Sequence, residues 1–293
     1  MTPAKVSDSR IHLTFVAEHC MVEQLIGYTH PIILCGMYAF SSVLREAWQQ
    51  VFLHLRPLLS LPGGGALDIR YSNATTDFQK PNLYLGHTCG YPFWHDFQET
   101  HEVITVPEFA IDGCSGIHYS SWILARANDP RESLADFKQS IAVINAHDSN
   151  SGMNAFRSEV SRVSTGQRFF SEVKVSGSHL NSLSMIRNQI GDIAAIDAIT
   201  FGLANRLGEI NASDFKILLQ TQLLPGLPFI AHRQFRLDGK LVNSALNEGL
   251  TNLPQESSTI LPIRKFSSVN TEQYRRIMEL EEAAIQLGYP ELA

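Results

Sequence analysis

From Ile32 onward, short apolar runs of strand length alternate with amphipathic stripes at helical spacing, and this alternation restricts the architecture more than any single motif. Strand–helix alternation builds a sheet of mainly parallel strands with helices on its faces. Ile32 to Met37 reads as the first strand. Val43, Leu44, Ala47, Trp48, Val51, Phe52 and Leu55 then share one stripe, with Ser41 or Ser42 as cap and Pro57 and Pro62-Gly-Gly-Gly65 as terminators. Further strands are expected at Leu83 to Gly86, Glu102 to Val106, Tyr119 to Ala125, Ile141 to Asn145, Glu172 to Val175, Asp192 to Ile196, Ile217 to Leu219 and Pro228 to Ala231. A capping-box pattern stands at Ser133-Leu-Ala-Asp136. Helical spacing recurs over Ser178 to Gln189 and from Asn270 to Leu287, where Gly288 and Pro290 follow. No internal repeat or low-complexity segment interrupts the series.

With 293 residues, 44% apolar and 18% charged, the chain has globular composition and length enough for two lobes. A formal charge of −6 and the lack of any Lys/Arg-rich run argue against nucleic acid or an anionic membrane as partner. No stretch approaches the roughly 18 apolar residues of a membrane span, so no membrane insertion is expected. Cys20, Cys35, Cys89 and Cys114 form no C-x-x-C pair and no zinc-like spacing, so neither a metal nor another cofactor is expected. The first thirty residues do not read as an export signal, because Leu13 to Ala17 is broken by Glu18 and His19.

One stretch asks for a ligand. The strand run Ile141 to Asn145 leads through Ala146-His147-Asp148 into Ser149-Asn150-Ser151-Gly152, where a helix begins. A helix start carries free N–H groups and about half a positive charge, and serine hydroxyls can donate to an oxyanion there. A plain, well-capped helix uses the same residue types. Beyond it, Val175-Ser-Gly-Ser-His179 opens a second helix, and Gly191-Asp-Ile-Ala-Ala-Ile-Asp197 ends a strand on an acid. Ser151, His179 and Asp197 are also the residue types of a hydrolase triad, but no G-x-S-x-G elbow accompanies them. Gly63-Gly-Gly65 lacks dinucleotide spacing, and no Walker A or H-E-x-x-H pattern occurs.

The ordered segments LYLGHTCGYPFW, DGCSGIHYSSWILARANDPRESLADFKQSIAVINAHDSNSGMNAFR, VSGSHLNSLSMIRNQIGDIAAIDAITFGL and LLPGLPFIAHR resemble the phosphonate-binding (PhnD-like) family of ABC-importer substrate-binding proteins, over roughly residues 31 to 250. The resemblance implies a type II periplasmic-binding fold, an α/β clamshell that holds a phosphonate-, phosphate- or phosphite-like oxyanion between two lobes for an ABC permease. Residues 31–117 and 228–293 would form the first lobe and 118–227 the second, with crossings near 112–121 and 221–228. Residues 1–30 would be an N-terminal extension that matches nothing in the family.

Carried over, Ser149, Asn150 and Ser151 match the family's anion loop, and His179 matches the histidine of its Ser-Gly-Ser-His segment. Thr88 and Tyr91 lie in the matching Thr88-Cys-Gly-Tyr-Pro92 segment, Tyr91 as an aromatic wall. Asp197 matches the acid ending the second-lobe strand, and Tyr38 lines the first lobe's edge. Ala39 stands where the family commonly has an acid. Relatives of this branch also carry cysteines at positions 89 and 114, which implies a disulfide there and leaves Cys20 and Cys35 free. The resemblance makes the protein a periplasmic binder without catalysis. A cytoplasmic clamshell sensor and, less favoured, a small-molecule hydrolase are the other readings.

Overall fold

The computed structural model of the chain describes residues 31–59, 67–164 and 168–293. The expectations for residues 1–30, for Cys20 and for the Pro62-Gly-Gly-Gly65 breaker lie outside them.

Strand β1 (Ile32–Leu34) is wholly buried and pairs in parallel with β2 (Asp68–Arg70) and β3 (Leu83–His87). Between β1 and β2 runs helix α1 (Ser42–Phe52). The Ser41 hydroxyl caps it by accepting from the Leu44 N–H at 3.3 Å, and Leu44, Ala47, Trp48 and Val51 are buried on its inner stripe. Strand β4 (His101–Phe109) completes this part of the first sheet. The chain then crosses through two short strands, β5 (Cys114–Ser115) and β6 (His118–Tyr119), before β7 (Ser121–Arg126), β8 (Ile141–Ile144), β9 (Glu172–Val175), β10 (Ile193–Asp197) and β11 (Phe215–Gln220) form a second sheet in the order β11-β7-β10-β8-β9. Strand β12 (Leu224–Pro225) pairs with β6 on the way back, so the three short strands make a ribbon where the chain passes between the sheets. Strands β13 (Phe229–His232) and β14 (Ile263–Ser267) finish the first sheet, in the order β14-β4-β13-β3-β1-β2.

The sequence reading follows this physics. The sheets are mixed, not mainly parallel, since β3 also pairs antiparallel with β13 and β10 with β7; the runs Ile32-Ile-Leu34, Leu83 to His87 and Ile193 to Asp197 are buried throughout because these central strands are covered on both faces, so they are visible as continuous apolar stretches. Strands β2 and β14 escaped notice because, unlike the edge strands β9 and β11, they show no strand pattern in the sequence. Half-buried Asp68-Ile-Arg70, and Ile263 to Ser267 with Arg264 and Lys265 exposed, carry no apolar run. The Ser133 region, expected as a capped helix, makes only one tight turn, Leu134–Phe137, with Asp136 Oδ2 accepting from the Ser133 N–H at 2.9 Å.

The second lobe's helices are α2 (Ala155–Val163), α3 (His179–Arg187) and α4 (Ala198–Arg206); α5 (Gly239–Thr251) and α6 (Arg275–Gln286) follow the return. The first core is aromatic: Trp48 stacks on Phe52 at 5.4 Å and meets Phe229 and Phe266 edge-on or tilted. One boundary needs correction. Residues 228–293 were expected in the first lobe, but the segment after α6 packs into the second. Tyr289 is buried with Phe156, Phe169 and Phe170, the Phe169 and Phe170 N–H groups donate to the Ala293 carbonyl, and Arg157 donates to the Pro290 carbonyl at 2.7 Å. The aromatic cluster would otherwise be open to water, and the apolar Tyr289 ring covers it.

Candidate functional site

The C-terminal ends of the central strands from both sheets converge on one cavity of about 400 Å³ between the lobes. The carboxyl ends of strands in open α/β sheets are where ligands bind.

From the first lobe, the chain leaving β1 presents Gly36, Met37 and Tyr38 to the cavity. Tyr38 has φ of 54°, a left-handed conformation that costs a non-glycine residue about 1 kcal/mol or more. The Trp48 indole N–H holds it by donating to its carbonyl at 3.1 Å. Its hydroxyl reaches across the lobes and donates to Asp197 Oδ2 at 2.9 Å.

From the second lobe, the chain after β8 turns at Ser149. Its hydroxyl accepts the Gly152 N–H at 3.0 Å, and the helix opens with a wide π-turn, Asn150–Asn154, that runs on into α2. The Ser121 hydroxyl pins this turn by donating to the Ser151 carbonyl at 3.0 Å. Ser151 Oγ lies 2.9 Å from His179 Nε2 at the start of α3, whose cap is Ser178. A side chain at Gly152 would put its Cβ 1.8 Å from Asn145 Oδ1 and 3.0 Å from His179 Cε1, so only glycine allows this packing. At the end of β10, Asp197 caps α4 by accepting the Thr200 N–H at 2.7 Å.

Among the described residues, no lysine or arginine lines the cavity. The polar groups it offers include hydroxyls and the helix start at Ser149, an arrangement that suits an anion. Burial pushes Asp197 up to about 6, although the Thr200 N–H and the Tyr38 hydroxyl both oppose the shift. Burial also holds His179 down to about 4, and its Nδ1 is buried without a hydrogen-bond partner.

Of the residues expected from sequence, Tyr38, Thr88, Ser149, Ser151, His179 and Asp197 line the cavity. Tyr91 does not: its hydroxyl donates to Glu281 Oε1 at 2.7 Å on α6, and its ring lies on His95. Asn150 also faces away, donating through Nδ2 to the Tyr119 hydroxyl at 3.0 Å. The expected Cys89–Cys114 disulfide is absent, and both are free thiols, as is Cys35. Cys89 starts the turn at Gly90 and its Sγ accepts the Asn150 N–H at 3.5 Å, which directs it to the second lobe; Cys114 lies in the crossing ribbon. Ser151 and His179 touch as a nucleophile–base pair would. Asp197 instead bonds Tyr38 and Thr200, so among the described residues no carboxylate orients His179 Nδ1. Among the described residues, no cluster of three or more His, Cys, Asp or Glu could hold a metal.

Sequence reasoning missed Asn73, Phe78, Phe97, Asn145 and Thr200 in the lining. Asn145 ends a recognised strand and was open to the strand-end rule. Phe78 and Phe97 carry no sequence signal that sets them apart from core residues, and Asn73 follows the unrecognised β2.

A model of the family "ABC transporter, phosphonate, periplasmic substrate-binding protein" matches residues 39–274. Solved structures share the fold at low identity. The methylphosphonate complex of PhnD1 from Prochlorococcus marinus superposes with a TM-score of 0.65 at 15% identity, over 87% of this chain and 97% of that one. A binding-protein component of an ABC phosphonate transporter from Pseudomonas aeruginosa gives 0.63 at 15% identity, over 88% of each chain. The alkanesulfonate-binding protein SsuA from Xanthomonas axonopodis pv. citri, bound to MOPS, gives 0.53 at 13% identity over 90% and 94%. No curated protein matches the sequence.

Proposed function

The chain belongs to the phosphonate-binding family of periplasmic substrate-binding proteins of ABC transporters, and from that premise we propose that it captures a small oxyanion in the cavity between its lobes for an ABC importer. The observation that carries the proposal is the meeting of Ser149, Ser151 and His179 at two helix starts, facing Tyr38 and Thr88 of the opposite lobe. Relatives with this fold are bound to methylphosphonate and to MOPS, so a phosphonate or sulfonate head group is the ligand chemistry to test first. The protein works in the periplasm on this reading, and its macromolecular partner is the permease. A net charge of −6 and the lack of a basic run disfavour nucleic acid. No helix among the described residues is long and apolar enough to cross a membrane.

The Ser151–His179 contact favours a hydrolase as second reading, and release of acid from phosphonate esters by the pure protein, lost in Ser151→Ala, would support it. The binding reading is tested by thermal shift against phosphate, phosphite, methylphosphonate and methanesulfonate. A ligand at 100 times its Kd adds about 2.7 kcal/mol, enough for a shift of several degrees. Ser149→Ala/Ser151→Ala together should abolish the shift. No stabilisation by any of these anions would overturn the reading.

A further inference from the structure

Behind the first-lobe wall of the cavity stands a histidine to which the site gives no contact of its own. His87, the last residue of β3, is wholly buried and pairs with Phe229 across the sheet. Its ring stacks on Phe229 with centroids 4.2 Å apart and meets the Trp48 and Tyr38 rings edge-on at 5.7 and 5.6 Å. A phenylalanine would fill such an aromatic box. Histidine instead brings two ring nitrogens, and both are buried without a completed hydrogen bond, which is unfavourable unless they serve something. Burial holds His87 down to about 3, against the carbonyls of Leu227 and Met37, which lie beside its ring and favour the protonated form. Both carbonyls belong to residues that line the cavity. The ring is therefore neutral, with a single N–H that can serve only one of them.

We infer that His87 is a positioning residue for the cavity, its ring N–H directed to the Met37 carbonyl so that it fixes the turn presenting Tyr38. Two successive carbonyls would then each be held by a ring N–H, Met37 by His87 and Tyr38 by the Trp48 indole. Tyr38 needs such support, because its φ of 54° is a left-handed conformation that a non-glycine residue keeps only when its surroundings impose it. With its backbone held from both sides and its ring against His87, the Tyr38 hydroxyl is aimed across the lobes at Asp197. The effect on ligand affinity rests on the oxyanion reading above, whereas the positioning of Tyr38 is measurable without any ligand.

The test is NMR on the full chain with ¹⁵N-labelled histidine. It is run beside His87→Phe, which keeps a ring without nitrogens, and His87→Asn and His87→Gln, whose amide nitrogens stand in for Nδ1 and Nε2 respectively. In the wild type, His87 should be a single tautomer whose ring N–H shows a nuclear Overhauser contact with Met37. The Tyr38 hydroxyl proton, assigned by its loss in Tyr38→Phe, should be visible in the wild type and absent in His87→Phe at an undiminished melting temperature. It should return in the amide variant that matches the protonated nitrogen. Calorimetry with methylphosphonate should show affinity at least tenfold weaker in His87→Phe and within about threefold of wild type in the rescued variant. Two averaged tautomers, an N–H turned to Leu227, a Tyr38 hydroxyl signal that survives in folded His87→Phe, or its absence from both amide variants would overturn the inference. The tautomer measurement uses no variant, so it decides the case even where His87→Phe does not fold. The expected NMR signals with no methylphosphonate binding by the wild type would overturn the oxyanion reading and leave the positioning of Tyr38 standing.

Discussion

On the proposed reading, Asp197 is the residue at which binding and proton chemistry meet. Its carboxyl is buried, ties the lobes through Tyr38, and titrates near 6 instead of near 3.8. Below that pH it is neutral and tolerates an anion beside it; above it, it is charged and repels one. His179 acts in the same direction, because a bound anion raises its pKa from about 4 and so draws in a proton more easily as pH falls. Oxyanion affinity should therefore fall between pH 5 and 8. Measuring Asp197→Asn alongside the wild type cancels the ligand's own titration: the variant's relative affinity should rise by about tenfold or more over this range. A constant ratio would remove Asp197 from the site. The linkage also sets a stability trend. The folded carboxyl holds its proton to higher pH than the unfolded one, so wild-type stability should fall by about 2 to 3 kcal/mol as pH rises from 4 through 6, a loss the variant lacks. At this scale the sequence is only partly legible. Asp197 and His179 could be named because they end a strand and open a helix. Tyr38 could be named too, but not its left-handed backbone, whose surroundings, Trp48, Asp197, His87 and Phe109, are distant in sequence.

Among the elements, the π-turn at Asn150–Asn154 is the one on which the site depends. Its geometry requires glycine at 152, since a methyl group there would overlap Asn145 Oδ1 and crowd His179. Gly152→Ala should weaken oxyanion binding at least tenfold and destabilise the fold by about 1 to 3 kcal/mol, read by calorimetry and denaturant melts. Wild-type affinity in the variant would mean that the turn does not shape the site. The sequence marked this turn through its serines and glycine, but a cap and a π-turn use the same residues. The wide turn is decided by contacts from Ser121 and Asn145, distant in sequence or set on the preceding strand. Buried strands such as β3 and β10 could be read from their apolar runs, whereas edge strands β2 and β14, half-wet and polar, could not.

For the whole molecule, the lobes are joined by more than the crossing ribbon. Tyr38 and Asp197 bond across the cavity, the Arg157 guanidinium on α2 pairs with Glu281 on α6 at 3.0 Å, and the segment after α6 closes the second core through Tyr289. The return of that segment could not be read from sequence, because one tyrosine beyond a helix stop carries no period. The same buried linkage explains Tyr91, whose hydroxyl serves Glu281 and not the cavity. Binding should therefore act on the Tyr38–Asp197 side of the molecule, with the α6 side held. On the proposed reading an oxyanion lies between the lobes on hydroxyls, His179 and helix starts, with no lysine or arginine among the described lining residues. The most direct test is a crystal structure of the protein with methylphosphonate. The phosphonate oxygens should accept hydrogen bonds from the Ser149 hydroxyl and from the turn at Ser151 within about 3 Å. A phosphonate held instead by lysine or arginine outside this cavity would contradict the account.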